Sequence, residues 1–285
     1  MKPVLFNIRT AQTVLNKVIT TFAPCTVYVF GYRSCNASQK SQFTKDKTED
    51  LSFQHYDLLV LSPKALPNGA SSVAGSFNVA TDKRITITIL LHTLSDLATK
   101  QASQQCFFDT VMRHGYRLCL DSSKPPYILD NTIPSRDITA DWNYWLKCEA
   151  VAAFHISAAE QNCLVELELC QIALLHTAVE YTALGLIRIG MGYTPKEYGL
   201  DYLLAICLHF TTLPEQLFPK KTTEDLQRYK KICAPPAMLR HWQHLNAAEN
   251  DVILLLHAAK QWLQQSAFLA ISIYESLQEQ KKNNL

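Results

Sequence analysis

Strand signals stop near residue 121. Before that point apolar residues alternate or run in short blocks, and after it they recur at helical spacing. This change of period predicts an α+β domain followed by an all-α up-and-down helical bundle. The expected boundaries are 1–121 for the first domain, 122–140 for a linker holding Pro125, Pro126 and Pro134, 141–277 for the bundle, and 278–285 for a frayed tail. A chain of 285 residues suits two modest domains.

The first domain opens with a helix capped by Thr10 and carrying Val14, Leu15, Val18, Ile19 and Phe22, closed by Pro24. Two strand-like runs follow, Val27-Tyr28-Val29-Phe30-Gly31 and Tyr56-Asp57-Leu58-Leu59-Val60-Leu61. The polar residues between them, 32–55, read as a long loop. Ile85, Ile87 and Ile89 alternate with Thr86 and Thr88 in a third strand. Thr93 with Asp96 caps a short helix, Cys106 to Met112 lie on another, and Gly115 turns the chain into a strand over 116–120.

Within the bundle, 141–189 predicts two helices broken near Gln161 or Asn162, with Gly190 and Gly192 as terminators. Asn246 with Glu249 predicts the start of a last helix reaching about Leu277. The aromatics Trp142, Tyr144, Trp145, Phe154 and Trp262 fall at helical spacing and read as core.

A net charge of +2 argues against an open, strongly basic nucleic-acid surface. Lys220, Lys221, Arg228, Lys230 and Lys231 form a modest basic cluster, expected to be a solvated face. Nine cysteines at irregular spacings, with no CxxC pair, predict free thiols in a reducing cytoplasm. No signal peptide and no run of membrane-span length are read, so the expected location is cytoplasmic, with no membrane partner.

Three stretches together carry a resemblance. The first is Tyr28-Val29-Phe30-Gly31 with Tyr56-Asp57-Leu58-Leu59-Val60. The second joins Ile85-Thr86-Ile87 and Leu91-His92 to Cys106-Phe107-Phe108 and Arg113-His114-Gly115-Tyr116. The third runs from Leu175-His176-Thr177-Ala178 through Glu180-Tyr181 to Gly192-Tyr193-Thr194-Pro195. In this order they resemble a minimal nucleotidyltransferase-like domain fused to a HEPN domain, a pairing seen in bacterial proteins, and the resemblance covers nearly the whole chain.

The resemblance implies a nucleotide site at Gly31, Tyr32, Ser34 and Asp57. In such domains a Gly-Ser loop holds the triphosphate, and three carboxylates on two strands hold metal. Two ions about 4 Å apart clamp the attacking and leaving oxygens. Here Tyr32 stands where the serine is expected, with Ser34 close by. His55 replaces the first carboxylate, Asp57 matches the second, and the third strand offers only Thr86 and Thr88. One carboxylate does not anchor two magnesium ions, so no transferase activity is expected. Asp57 then reads either as a strand-start residue capping its own loop or as a remnant ligand for one metal or a ribose. His55 reads as a partly exposed loop histidine.

Catalytic HEPN domains resemble one another in an Arg and a His that cleave RNA without metal, the Arg steadying the phosphorane and the His moving a proton. This chain offers Arg240 and His244 at i, i+4 spacing, one residue short of the family gap. The same segment also resembles an Ala-Arg-Tyr-like stretch of non-nuclease relatives. His176 and Glu180 read as a buried polar pair, as a contact reaching Arg188, or as part of a pocket at the bundle's dimer face.

The first expectation is therefore a non-catalytic regulatory protein that binds nucleotide, RNA or a protein partner. It would be a homodimer through the bundle and require no cofactor, with magnesium entering only alongside a nucleotide. A toxin or antitoxin is a fitting partner. The alternatives are a HEPN-type ribonuclease toxin and an active nucleotidyltransferase.

Overall fold

A computed structural model describes residues 16, 18, 20, 24, 26–38, 50–63, 85–98, 101–118, 135–161, 167–237 and 247–283, with backbone alone at 34–38 and 50–53. The chain falls into two compact units. One comprises Met1–Gln101 with Gln105–Pro134, the other Ala102–Gln104 with Ser135–Leu285.

The first unit is built on a mixed four-stranded sheet in the order β3-β2-β1-β4. β1 (Thr26–Ser38) and β2 (Asp50–Ser62) are antiparallel and 13 residues each. β3 (Ile85–Thr93) runs parallel to β2, and the short β4 (Tyr116–Leu118) pairs with the other edge of β1. The expected loop over 32–55 is therefore replaced, at 32–38 and 50–55, by ladder. Tyr32 pairs with Tyr56 and Ser38 with Asp50. Backbone groups make those bonds, so polar side chains do not prevent the strand.

Leu58, Leu59, Val60 and Leu61 of β2 are fully buried, as a central strand covered on both faces requires. One face gathers Val27, Val29, Tyr56, Leu58, Val60, Ile87 and Ile89 with the helical Val18. α1 (Ala102–His114) packs on the other face through Phe107 and Phe108. Phe108 meets the His92 ring edge-on at 4.9 Å and Phe107 meets Phe30 at 6.1 Å. Thr93 N–H donates to Asp96 Oδ2 at 2.6 Å, which opens a 3₁₀ turn at Leu94–Ala98 where a helix was expected.

The second unit is helical. α2 (Ile138–Gln161) and α3 (Glu168–Met191) form its largest contact, joined by α4 (Leu200–Cys207), α5 (Leu213–Leu217), α6 (Thr223–Cys233) and α7 (Glu249–Asn283). α2 buries Asp141, Trp145, Cys148, Ala152, Ile156 and Ala159, an i, i+3/i+4 stripe. Phe154 lies off that stripe and is 69% exposed, so it is not core. Gly185 lets the helices meet closely, since a Cβ there would fall 2.8 Å from the Trp145 ring. Gly192, at φ +70°, caps α3 in the left-handed conformation. Gly190, read as a terminator, sits inside α3.

α7 runs to Asn283 rather than ending near Leu277. Its last residues are good helix formers, and Lys281 and Lys282 complement the negative end of the helix dipole. α3 is long and apolar enough to span a membrane by composition, with mean hydropathy 1.3, contrary to expectation. However, 67% of that window is buried inside the protein, and such a helix is as well accounted for as a core element.

Candidate functional site

A β-bulge organises the polar cluster of the sheet. The β1–β2 register shifts between Val29 and Gly31, so that Val29 faces Leu58 while Gly31 faces Asp57. One extra residue on β1 moves every later side chain to the opposite face. Tyr32 is carried onto the apolar face, where its ring lies 5.1 Å from Tyr56. Arg33 is carried onto the face of His55 and Asp57, opposite His55 in the ladder.

β3 completes the cluster, since its parallel register sets Thr86 beside His55 and Thr88 beside Asp57. The His55 ring lies at the centre. Its Nε2 is 3.0 Å from Asp57 Oδ1 and 3.1 Å from Thr88 Oγ1, and its Nδ1 is 2.7 Å from Thr86 Oγ1. An ionised carboxylate only accepts, so Nε2 carries a proton. Arg33 Nη2 donates to the same Asp57 oxygen at 3.5 Å. Asp57 is fully buried, whereas the side chains of Arg33 and His55 are 32% and 20% exposed. The cluster thus presents cationic and hydroxyl groups outward over a buried carboxylate.

This geometry revises several expectations. His55 is a strand residue bonded on both ring nitrogens, not a loop histidine. Asp57 sits in mid-strand, so it does not cap a loop. Gly31 continues β1 instead of turning it, and Tyr32 points away from Asp57. The side chain of Ser34 and all of Arg240 and His244 lie outside the described residues. Arg33 escaped the sequence reading, because only the bulge puts it on this face.

A second polar cluster lies in the helical unit. Asp141 is fully buried and takes Arg136 Nε on Oδ2 at 2.8 Å and Arg188 Nε on Oδ1 at 2.5 Å. Arg136 Nη2 also donates to the carbonyls of Arg188 and Ile189, at 2.9 and 2.8 Å, satisfying the last turn of α3. Arg188 Nη1 donates to Thr194 Oγ1 at 2.8 Å. Arg188 therefore serves Asp141 rather than Glu180. A lone cation in the last turn of an apolar helix is the one hint of this in the sequence, and nothing there links it to Asp141 47 residues earlier.

His176 is buried, and its Nδ1–H donates to the Ile232 carbonyl at 2.7 Å, tying α3 to α6. Its Nε2 faces Glu180 Oε2 at 3.5 Å. The histidine thus braces α3 against α6 while facing Glu180 one turn along its own helix. No family model matches the chain, and no curated protein matches it either.

Proposed function

We propose that the chain is a non-catalytic binding protein whose sheet unit is a nucleotidyltransferase-like domain turned to metal-independent recognition of nucleotide phosphates, joined to a HEPN-like bundle. One observation carries this reading. Asp57 is buried, and its Oδ1 is held by the His55 ring and approached by the Arg33 guanidinium, which stands between the carboxylate and solvent. A fixed cation beside a carboxylate opposes metal entry, while a partly exposed guanidinium with two hydroxyls and an imidazole suits a phosphate.

Calorimetry with ATP, once in magnesium and once in excess chelator, tests it. The expected result is similar affinity in both, a loss of about tenfold for Arg33→Ala, and no loss for Asp57→Asn, which removes a negative charge from the cluster. Binding that needs magnesium, or that disappears with Asp57→Asn in a folded protein, contradicts the reading.

The bundle would pair with a second copy. Support comes from Phe154 and Phe268, 69% and 67% exposed on α2 and α7, the latter lining a groove of about 440 Å³ between those helices. Sedimentation should find a dimer that Phe268→Glu converts to monomer; a monomeric wild type would exclude it.

A further inference from the structure

α4, α5 and α6 enclose a second cavity, of about 300 Å³, whose lining includes Lys220 and Lys221 of the basic cluster. Its floor is apolar, formed by Leu204 of α4, Leu208 just after that helix, Phe218 just after α5, and the Tyr229 ring of α6. The volume is at the lower end of the range typical of small-molecule sites, which combine an apolar lining with a few placed polar groups. The polar groups here are Lys220, Lys221, Asp201 and Glu215.

The charges are not arranged symmetrically. Lys220 Nζ rests 3.8 Å from the centroid of the Tyr229 ring, so the electron-rich face is already covered by the protein's own cation. An incoming cation would have to displace it. Among the described residues neither Lys220 nor Lys221 forms an ion pair, and neither do Asp201 and Glu215. Burial of the Lys220 ammonium lowers its pKa, with Cys233, Asp201 and Glu215 opposing the shift. The neighbouring thiol of Cys233 is pushed up to about 12 by burial, and burial likewise raises the Tyr229 phenol, so both are neutral near pH 7. A desolvated ammonium on the Tyr229 ring, with no carboxylate in ion-pair contact among the described residues, is an arrangement that an anion improves.

We propose that this cavity binds a small organic carboxylate with an aromatic body. The ring would lie on Leu204, Leu208 and Phe218, and the carboxylate would reach Lys220 and Lys221. A monoanion fits better than a phosphate ester, because Asp201 and Glu215 at the same mouth disfavour a second negative charge.

The test uses the full chain and a series with one body and three heads: 4-phenylbutyrate, 4-phenyl-1-butanol and 4-phenylbutylamine, followed by ligand-observed NMR and calorimetry. The carboxylate should bind about tenfold more tightly than the alcohol, and the amine more weakly than either. Lys220→Gln with Lys221→Gln should reduce the carboxylate to the alcohol's affinity. Ala205→Phe, which fills the cavity, should abolish binding of both, with circular dichroism reporting the fold. Because the bound anion favours protonated Lys220, binding should weaken as pH rises through the pKa of the free lysine. An amine that binds as tightly as the carboxylate, a double lysine variant with unchanged affinity, or no binding of the carboxylate at millimolar concentration would overturn the assignment.

Discussion

Asp141→Ala is expected to lower the unfolding free energy by about 3–5 kcal/mol, the scale for breaking a buried ion pair by removing one partner. The carboxylate is fully buried between two guanidiniums, from Arg136 before α2 and Arg188 in the last turn of α3. Removing it leaves two cations facing each other in a partly buried space with no anion between them. The effect should spread beyond the pair. Arg136 also donates to two carbonyls of α3, so its displacement leaves the Arg188 carbonyl with the Gly192 N–H alone and takes that side-chain donor from the Ile189 carbonyl. Urea unfolding followed by circular dichroism measures the loss. A change below about 1 kcal/mol would place the triad in the weak class of solvent-screened ion pairs.

Trp262→Ala should cost a similar amount, about 3–5 kcal/mol, by a different mechanism. The Trp262 side chain is fully buried in α7, its Nε1–H donates to the Val179 carbonyl of α3 at 3.3 Å, and its ring meets Phe218 edge-on. Truncation opens a cavity between α3, α5 and α7 that rigid helices fill only in part. Trp142→Ala, at a half-buried ring stacked on Tyr274 at 4.6 Å, is the comparison and should cost distinctly less. Equal costs in thermal or urea unfolding would mean that the packing of α7 is not centred where the structure puts it.

The switch from strand to helix was legible because side-chain period is a property of the sequence itself. β3, with its alternating Ile and Thr, and α1, stopped at Gly115, follow from that period directly. The outer halves of β1 and β2 were not legible, since their polar residues pair through backbone groups that no side-chain pattern reveals. The bulge mattered more. Counting alternation from Val27 and Val29 puts Arg33 on the apolar face and Tyr32 with Asp57. One extra residue at Phe30 exchanges them. The exposure of Phe154 is hidden for a related reason, because a helical spacing shared with Trp142, Trp145 and Trp262 does not say which face is buried until a partner helix is in place.

Metal-independent binding requires that the hold of Arg33 and His55 on Asp57 Oδ1 keeps a divalent ion out. The most direct measurement is a manganese titration of isotope-labelled protein, watching the amide and side-chain signals of His55, Asp57 and Thr88 for paramagnetic broadening. Wild type should show no selective broadening at these residues, and His55→Asp, which adds a second carboxylate two positions before Asp57, should gain it. Selective broadening at Asp57 in the wild type would contradict the account.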